Sequence, residues 1–232
     1  MNVAVVVATY NECDNIVGLV AAILRHPGYR VIVVDDNSPD GTGQLADTVA
    51  AGAPERVSVI HRTGPRGLGR SLIEGMKRAL AEGADLIVEM DADWSHDPEY
   101  LPALAAAAAD ADVVIGSRYL NGVSVVNWPL HRIILSTVAN RYIRRVTGLS
   151  THDCTSGYRC WRKDSLAKIP LDAIIAEGYA FLVETLYLAR KIGCRIHEVP
   201  IIFVERQHGS SKVSTNVLIE SIIVPWRLRL RS

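Results

Sequence analysis

Short unbroken apolar runs alternate with longer segments of helical spacing through the first half of the chain. The runs are residues 3–8, 30–35, 57–61, 85–90 and 112–116. The three most apolar lack polar alternation, which predicts strands covered on both faces. Between them, residues 15–25, 42–51, 69–81 and 98–109 carry apolar positions at helical intervals. Strand-helix alternation of this kind predicts an α/β fold with a mostly parallel central sheet flanked by helices.

The second half changes character. Residues 128–149 are arginine-rich, with an apolar stripe at Ile134, Val138, Tyr142 and Val146. Arg132, Arg141, Arg144 and Arg145 lie off that stripe. Residues 154–162 read as a short strand or turn, 179–192 as an apolar helix, and 195–205 as a strand interrupted by Pro200. A polar loop at 206–212 leads into an amphipathic tail. Linkers, repeats and low-complexity segments are absent. The reading is one domain over residues 1–212 with an amphipathic appendage at 213–232, suited to a membrane surface or an oligomer contact.

Ligands of parallel α/β sheets bind beyond the carboxyl ends of the strands. Those ends here carry Thr9-Tyr10-Asn11-Glu12, Asp35-Asp36-Asn37-Ser38 and Asp91-Ala92-Asp93. Each cluster alone is ordinary turn chemistry; three at one edge are harder to dismiss. Residues i and i+2 of an extended segment share a side, so Asp91 and Asp93 converge. Two unneutralised carboxylates at a strand end repel each other and resist desolvation. The pair therefore calls for a divalent cation, and oxygen ligands select Mg2+ or Mn2+. Ser95, at the next same-side position, is a further candidate for the metal shell.

Bulk properties narrow the partners. Lysine plus arginine equals aspartate plus glutamate at 25 each, which argues against nucleic-acid binding through many phosphate contacts. The four cysteines, Cys13, Cys154, Cys160 and Cys194, form no Cys-X-X-Cys pair and suit a reducing compartment. The N-terminus lacks a signal-peptide pattern, and no apolar run approaches the ~20 residues of a membrane span. A cytoplasmic protein is expected, with room left for peripheral contact at the cytoplasmic face of a membrane.

As a set, the polar segments resemble the family 2 glycosyltransferases of GT-A fold, and most closely the polyprenol-phosphate (dolichol-phosphate) mannose synthase branch. The likeness runs through Ala8-Thr9-Tyr10-Asn11-Glu12, the stretch from Val33 to Thr42, Gly67-Leu68-Gly69 and Asp91-Ala92-Asp93-Trp94-Ser95-His96-Asp97-Pro98-Glu99. It continues in Gly116-Ser117-Arg118-Tyr119, Thr155-Ser156-Gly157-Tyr158-Arg159 and Arg206-Gln207-His208-Gly209-Ser210-Ser211-Lys212. One departure is Ala8, where the family usually has proline.

The resemblance implies a Rossmann-like GT-A domain and a division of roles. Ala8, Tyr10, Glu12, Asp35 and Gly67 would contact the nucleotide of GDP-mannose. Asp91 would face its ribose and diphosphate. Asp93 would ligate the cation, and Arg206 and Lys212 would close over the donor. Arg118, Arg132 and Ser136 would hold the phosphate of a polyprenyl monophosphate acceptor. A phosphate is already an oxyanion and needs positive charge more than a general base. Asp91, Asp93, Arg118 and Arg132 are thus the expected catalytic set. The expected product is a β-linked polyprenyl-phosphate mannose. His96 is expected to position other groups, and Glu184 to pair with an arginine or line the site. Alternatives are another donor such as UDP-glucose, a hydroxyl acceptor, or a non-catalytic sugar-nucleotide module. A homo-oligomer or a membrane partner protein competes with lipid for the tail's apolar face.

Overall fold

The computed structural model describes residues 1–174, 176, 178–205 and 215–230. Its strands are β1 (Val3–Thr9), β2 (Tyr29–Asp35), β3 (Val57–His61), β4 (Leu86–Asp91), β5 (Val113–Ser117), β6 (Val125–Val126), β7 (Arg159–Arg162), β8 (Ile196–Pro200) and β9 (Phe203–Val204). The helices are α1 (Ile16–Leu24), α2 (Thr42–Gly52), α3 (Leu68–Ala81), α4 (Leu101–Ala107), α5 (Leu130–Thr147), α6 (Lys163–Leu166), α7 (Gly178–Lys191) and α8 (Thr215–Leu230). Seven strands form one sheet in the order β3-β2-β1-β4-β7-β5-β8, and β6 pairs with β9 in a small second sheet. Every pairing is parallel except those of β7, which runs antiparallel between β4 and β5.

Burial explains why the first strands lack polar alternation. Ala4, Val6, Ile32, Val34 and Ile87 face a core with Leu72 and Met76 of α3 and Phe181 and Leu186 of α7. Val3, Val5, Val7, Val31, Val33 and Val88 face the opposite core with Leu19 and Ile23 of α1 and Leu101 and Leu104 of α4. Each fully buried Val or Leu contributes about 1.5–3 kcal/mol, so both faces anchor the sheet. Helix α3 lies so close that a Cβ on Gly75 would sit 2.3 Å from Val6 Cγ1. Only glycine permits that approach.

Register then sets the functional edge. Thr9 pairs with Asp35 and Ala8 with Asp91, so three polar strand ends stand side by side. The chain leaves each end through a left-handed residue: Asn11 (φ 58), Asn37 (φ 58) and Trp94 (φ 63). Asparagine tolerates this conformation; for tryptophan it costs of order 1–3 kcal/mol. That strain lies directly after the Asp91-Ala92-Asp93 segment.

Helix α5 departs from a single continuous stripe. Ile134 and Val138 are exposed, Tyr142 is half-buried, and Val146 is buried. Its C-terminal half packs into the core through Ile143 and Val146, while Leu130, Ile134, Leu135 and Val138 of the N-terminal half meet solvent. Helix α8 packs against α5 and α7 and sends Val224 and Leu228 into the core. Tyr142 donates its hydroxyl to the Ile222 carbonyl, and Arg229 donates to the Val146 carbonyl. Ile222, Ile223, Trp226 and Leu230 remain exposed. Among the described residues, no helix is long and apolar enough to cross a membrane.

Candidate active site

A cavity of about 480 Å³ opens at the strand-end edge. Ala8, Tyr10, Glu12, Gly67, Asp91, Asp93, Arg118 and Arg132 all line it. Asp35, Ser95 and Ser136 are not among its lining residues. Arg206, Lys212 and His208 lie outside the described residues.

One wall follows β1, β2 and the start of α3. The Glu12 amide donates to Thr42 Oγ1, and the Glu12 carboxylate accepts from Asn15. Arg66 lies over the Tyr10 ring, 4.6 Å from its centroid, and donates to the Tyr10 hydroxyl. Asp35, buried at the end of β2, accepts from the Ser38 amide, with His61 Nδ1 3.9 Å off. Its neighbour Asp36 reaches the cavity instead, paired with buried Arg62 and accepting from the Gly67 amide at 2.8 Å. Asp36 therefore fixes the loop that presents Gly67.

The floor is the end of β4. Asp91 is partly exposed, while Asp93 is buried. Ser95 donates both its amide and its hydroxyl to Asp93 Oδ1, at 3.1 and 2.5 Å. Ser95 thus holds the Asp93 carboxylate in place. His96 is buried, stacked on Tyr158, and accepts the Asp91 amide proton at Nδ1. Burial lowers its pKa, so the ring is neutral and its proton sits on Nε2. Through that bond it ties down the backbone of the acidic segment.

Does this floor suit a divalent cation? Asp91 and Asp93 supply hard oxygen donors facing one cavity. Among the described residues, no group of three or more His, Cys, Asp or Glu could hold a metal alone. A cation here must therefore take its remaining oxygens from water and ligand phosphates. Mg2+ and Mn2+ bind in that manner, through one or two carboxylates plus substrate. The residues fit.

The opposite wall is cationic and aromatic. Arg118 is buried, and its Nε and Nη2 donate to Asp153 Oδ2 and Oδ1, both at 2.7 Å. Nη2 also donates to Thr155 Oγ1. This fork-on-fork pairing holds the Asp153 carboxyl below its ordinary range and raises the Arg118 pKa further. Arg132 lies 4.0 Å over the Trp128 ring and pairs with Glu205. The hydroxyl of Tyr119 donates to Ser136 at 2.7 Å, leaving the Ser136 proton for another acceptor. Trp128 and Phe203, in edge contact, close the wall.

Beneath it lies a second buried pair. Arg159 donates to the carbonyls of Cys154, Ser156 and Leu182, tying the Thr155 loop to α7. The Glu89 carboxyl group lies 3.9 Å away and accepts from Trp161. Glu184 is buried on α7 and accepts from the Ala176 amide. Cys154 and Cys160 are buried thiols, with burial pushing both pKa values up to about 12.

Sequence reasoning missed Asp36, Arg66, Trp128, Asp153 and Glu205. The last two pair across 35 and 73 residues, beyond any local spacing rule.

Comparison with known proteins identifies the family. The model of Glycosyl transferase family 2 matches residues 4–169. Among curated relatives, an undecaprenyl-phosphate mannosyltransferase of Micrococcus luteus is 46% identical, covering 100% of this chain and 96% of its own. A polyprenol monophosphomannose synthase of Mycolicibacterium smegmatis is 44% identical over 98% of this chain and 87% of its own. A dolichol-phosphate mannosyltransferase of Pyrococcus furiosus is 34% identical, with 98% of this chain matched to 64% of the relative. Of solved structures, the glucosyl-3-phosphoglycerate synthase of Mycobacterium tuberculosis, crystallised with Mn2+, UDP-glucose and phosphoglyceric acid, shares the fold with a TM-score of 0.66. Its identity is 20%, covering 98% of this chain and 79% of that one.

Proposed function

This chain belongs to glycosyl transferase family 2, in the polyprenol-phosphate mannose synthase branch, and we propose that it moves mannose from GDP-mannose to a polyprenyl monophosphate with inversion. The carrying observation is the opposition of Asp91 and Asp93 to Arg118 and Arg132 across one cavity. That arrangement suits two anionic ligands meeting at a sugar carbon.

A divalent cation held by Asp93, with Asp91 beside it, would supply Lewis-acid neutralisation of the departing diphosphate. The chain's own residues do the rest. Tyr10, Glu12, Gly67 and Arg66 border the nucleotide side. Arg118, fixed by Asp153, and Arg132, over Trp128, bind and align the acceptor phosphate. One acceptor oxygen attacks the anomeric carbon as the bond to the donor diphosphate breaks. Because the attacking group is already an oxyanion, no proton is removed. Consistent with that, the carboxylate beside Arg118, Asp153, is locked in a buried ion pair.

The reading has the enzyme working peripherally at the cytoplasmic face of a membrane. The exposed apolar residues of α5 and α8 would turn toward lipid, among them Leu130, Ile134, Val138 and Trp226. Flotation with anionic liposomes before and after exchanging these four for serine tests that part.

The central test is product analysis with GDP-mannose and UDP-glucose on one polyprenyl phosphate, with and without Mg2+ or Mn2+. A β-linked mannosyl phosphodiester, formed only with metal, is expected. Equal or better kcat/KM with UDP-glucose would overturn the donor assignment.

A further inference from the structure

The two arginines of the acceptor wall are held in different ways. Arg118 is 6% exposed, and both Nε and Nη2 are committed to Asp153, which is fully buried. No ligand can displace that carboxylate without stranding a charge in the interior. Arg132 instead meets Glu205 through a single guanidinium nitrogen, with 27% and 24% of the two side chains exposed. Its planar face rests on Trp128, so the ring holds the guanidinium in the cavity whatever its edge binds. The Glu205 amide donates to the Val126 carbonyl, which anchors that carboxylate beside the small β6–β9 sheet. Glu205 therefore sits within reach of Arg132 as a tethered anion.

We propose that Glu205 is an acceptor-selecting residue, an internal anion that the acceptor phosphate must displace from Arg132. This rests on the mannosyl-transfer reading and names the exchange at its acceptor site. A phosphate monoester carries roughly −1.5 to −2 charge at neutral pH and three acceptor oxygens, and it outcompetes a carboxylate for the arginine fork. The product is a phosphodiester with about one charge less. Glu205 recaptures Arg132 from the product more readily than from the acceptor. The same contact thus rejects weak anions at entry and promotes release after transfer.

The test uses the full chain with farnesyl phosphate as acceptor and GDP-mannose as donor. In Glu205→Gln, the acceptor KM and the inhibition constant of the mannosyl product should both fall roughly two- to fivefold, the size of a partly exposed ion pair. The donor KM should stay unchanged. Structural damage would weaken both ligands, so tighter binding is the diagnostic direction. Glu205→Asp, one methylene shorter, should shift the same constants the same way by less. Isothermal titration of farnesyl phosphate without donor gives an independent arm. If wild type transfers mannose but neither variant tightens acceptor or product, the exchange is refuted and the transfer reading stands. If the variants bind farnesyl phosphate more tightly while no form of the protein transfers mannose, the exchange stands and that reading falls.

Discussion

The two walls of the cavity are built by different means. The wall at the ends of β1 and β2 consists largely of segments that directly follow parallel strands, held by local contacts such as Ser38 to Asp35 and by backbone donors such as the Gly67 amide to Asp36. The arginine wall consists of side chains from α5, from the segments just after β5 and β9 and from the loop before β7, joined by ion pairs between residues far apart in sequence. The first wall is a property of the sheet edge. The second is a property of tertiary assembly, and it needs buried charge to hold its shape. Loss of a group should therefore cut activity on the first wall and stability on the second.

The largest effect belongs to the floor. Asp93→Asn keeps the side-chain shape and a partial acceptor for Ser95 but removes the charge that a cation requires. Transfer should fall about 10³-fold, the scale of losing one strong electrostatic contact to the leaving group. Unfolding by urea should change little. Steady-state rates across a Mn2+ titration check this. Retained activity at saturating metal would remove Asp93 from the cation site.

Asp153→Asn probes the opposite wall. It leaves the buried Arg118 guanidinium without its counterion, and breaking such a pair costs about 3–5 kcal/mol. Urea denaturation should show that loss. The double variant Arg118→Met with Asp153→Leu should recover much of the stability while transfer stays lost. A double variant with normal acceptor KM would show that Arg118 is structural only.

This contrast also explains what could be read from the sequence. Strands β1 to β5 and helices α1 to α4 were legible because apolar runs and helical spacing report burial directly. The polar clusters ending β1, β2 and β4 were legible because they trail those strands, whereas Gly67 and the nucleotide roles came through family likeness and Arg66 did not emerge. Strand β7 was not legible as an antiparallel insertion between β4 and β5, because Arg159-Cys160-Trp161-Arg162 has no alternation that fixes direction or neighbours. Burial of Arg159 is set by Glu89 and by three backbone carbonyls, none of which a spacing pattern reveals. Arg118 and Arg132 emerged through family likeness, but their partners Asp153 and Glu205 did not. On α5, periodicity marked Ile134 and Val146 alike, and it is tertiary packing, against the core and α8, that separates the exposed half from the buried half.

Glu89 tests whether the arginine wall rests on buried charge. Desolvation pushes its pKa up to about 7, against the attraction of Arg159 and the Trp161 hydrogen bond. The folded state therefore keeps a proton that the unfolded chain releases above about pH 4.5. Its contribution to stability is present below that pH and is lost as pH rises toward 7. The slope over that window should be no more than about 1.4 kcal/mol per pH unit. Glu89→Gln should flatten this part of the urea-stability profile. An unchanged slope would assign it to another group.

The smallest effect separates the two arginines most directly. Glu205→Gln removes a carboxylate from Arg132 much as Asp153→Asn removes one from Arg118. Yet Arg132 keeps access to water and its stacking on Trp128, so the abandoned guanidinium is not stranded. A partly exposed pair of this kind is worth roughly 0.2–1 kcal/mol, and urea denaturation should register no more than that. The comparison stands on the gap between the two carboxylate variants measured under one condition. If Glu205→Gln were to cost as much as Asp153→Asn, Arg132 would be a locked strut like Arg118. Its pairing with Glu205 would then belong to the architecture of the wall, and no ligand would exchange with it.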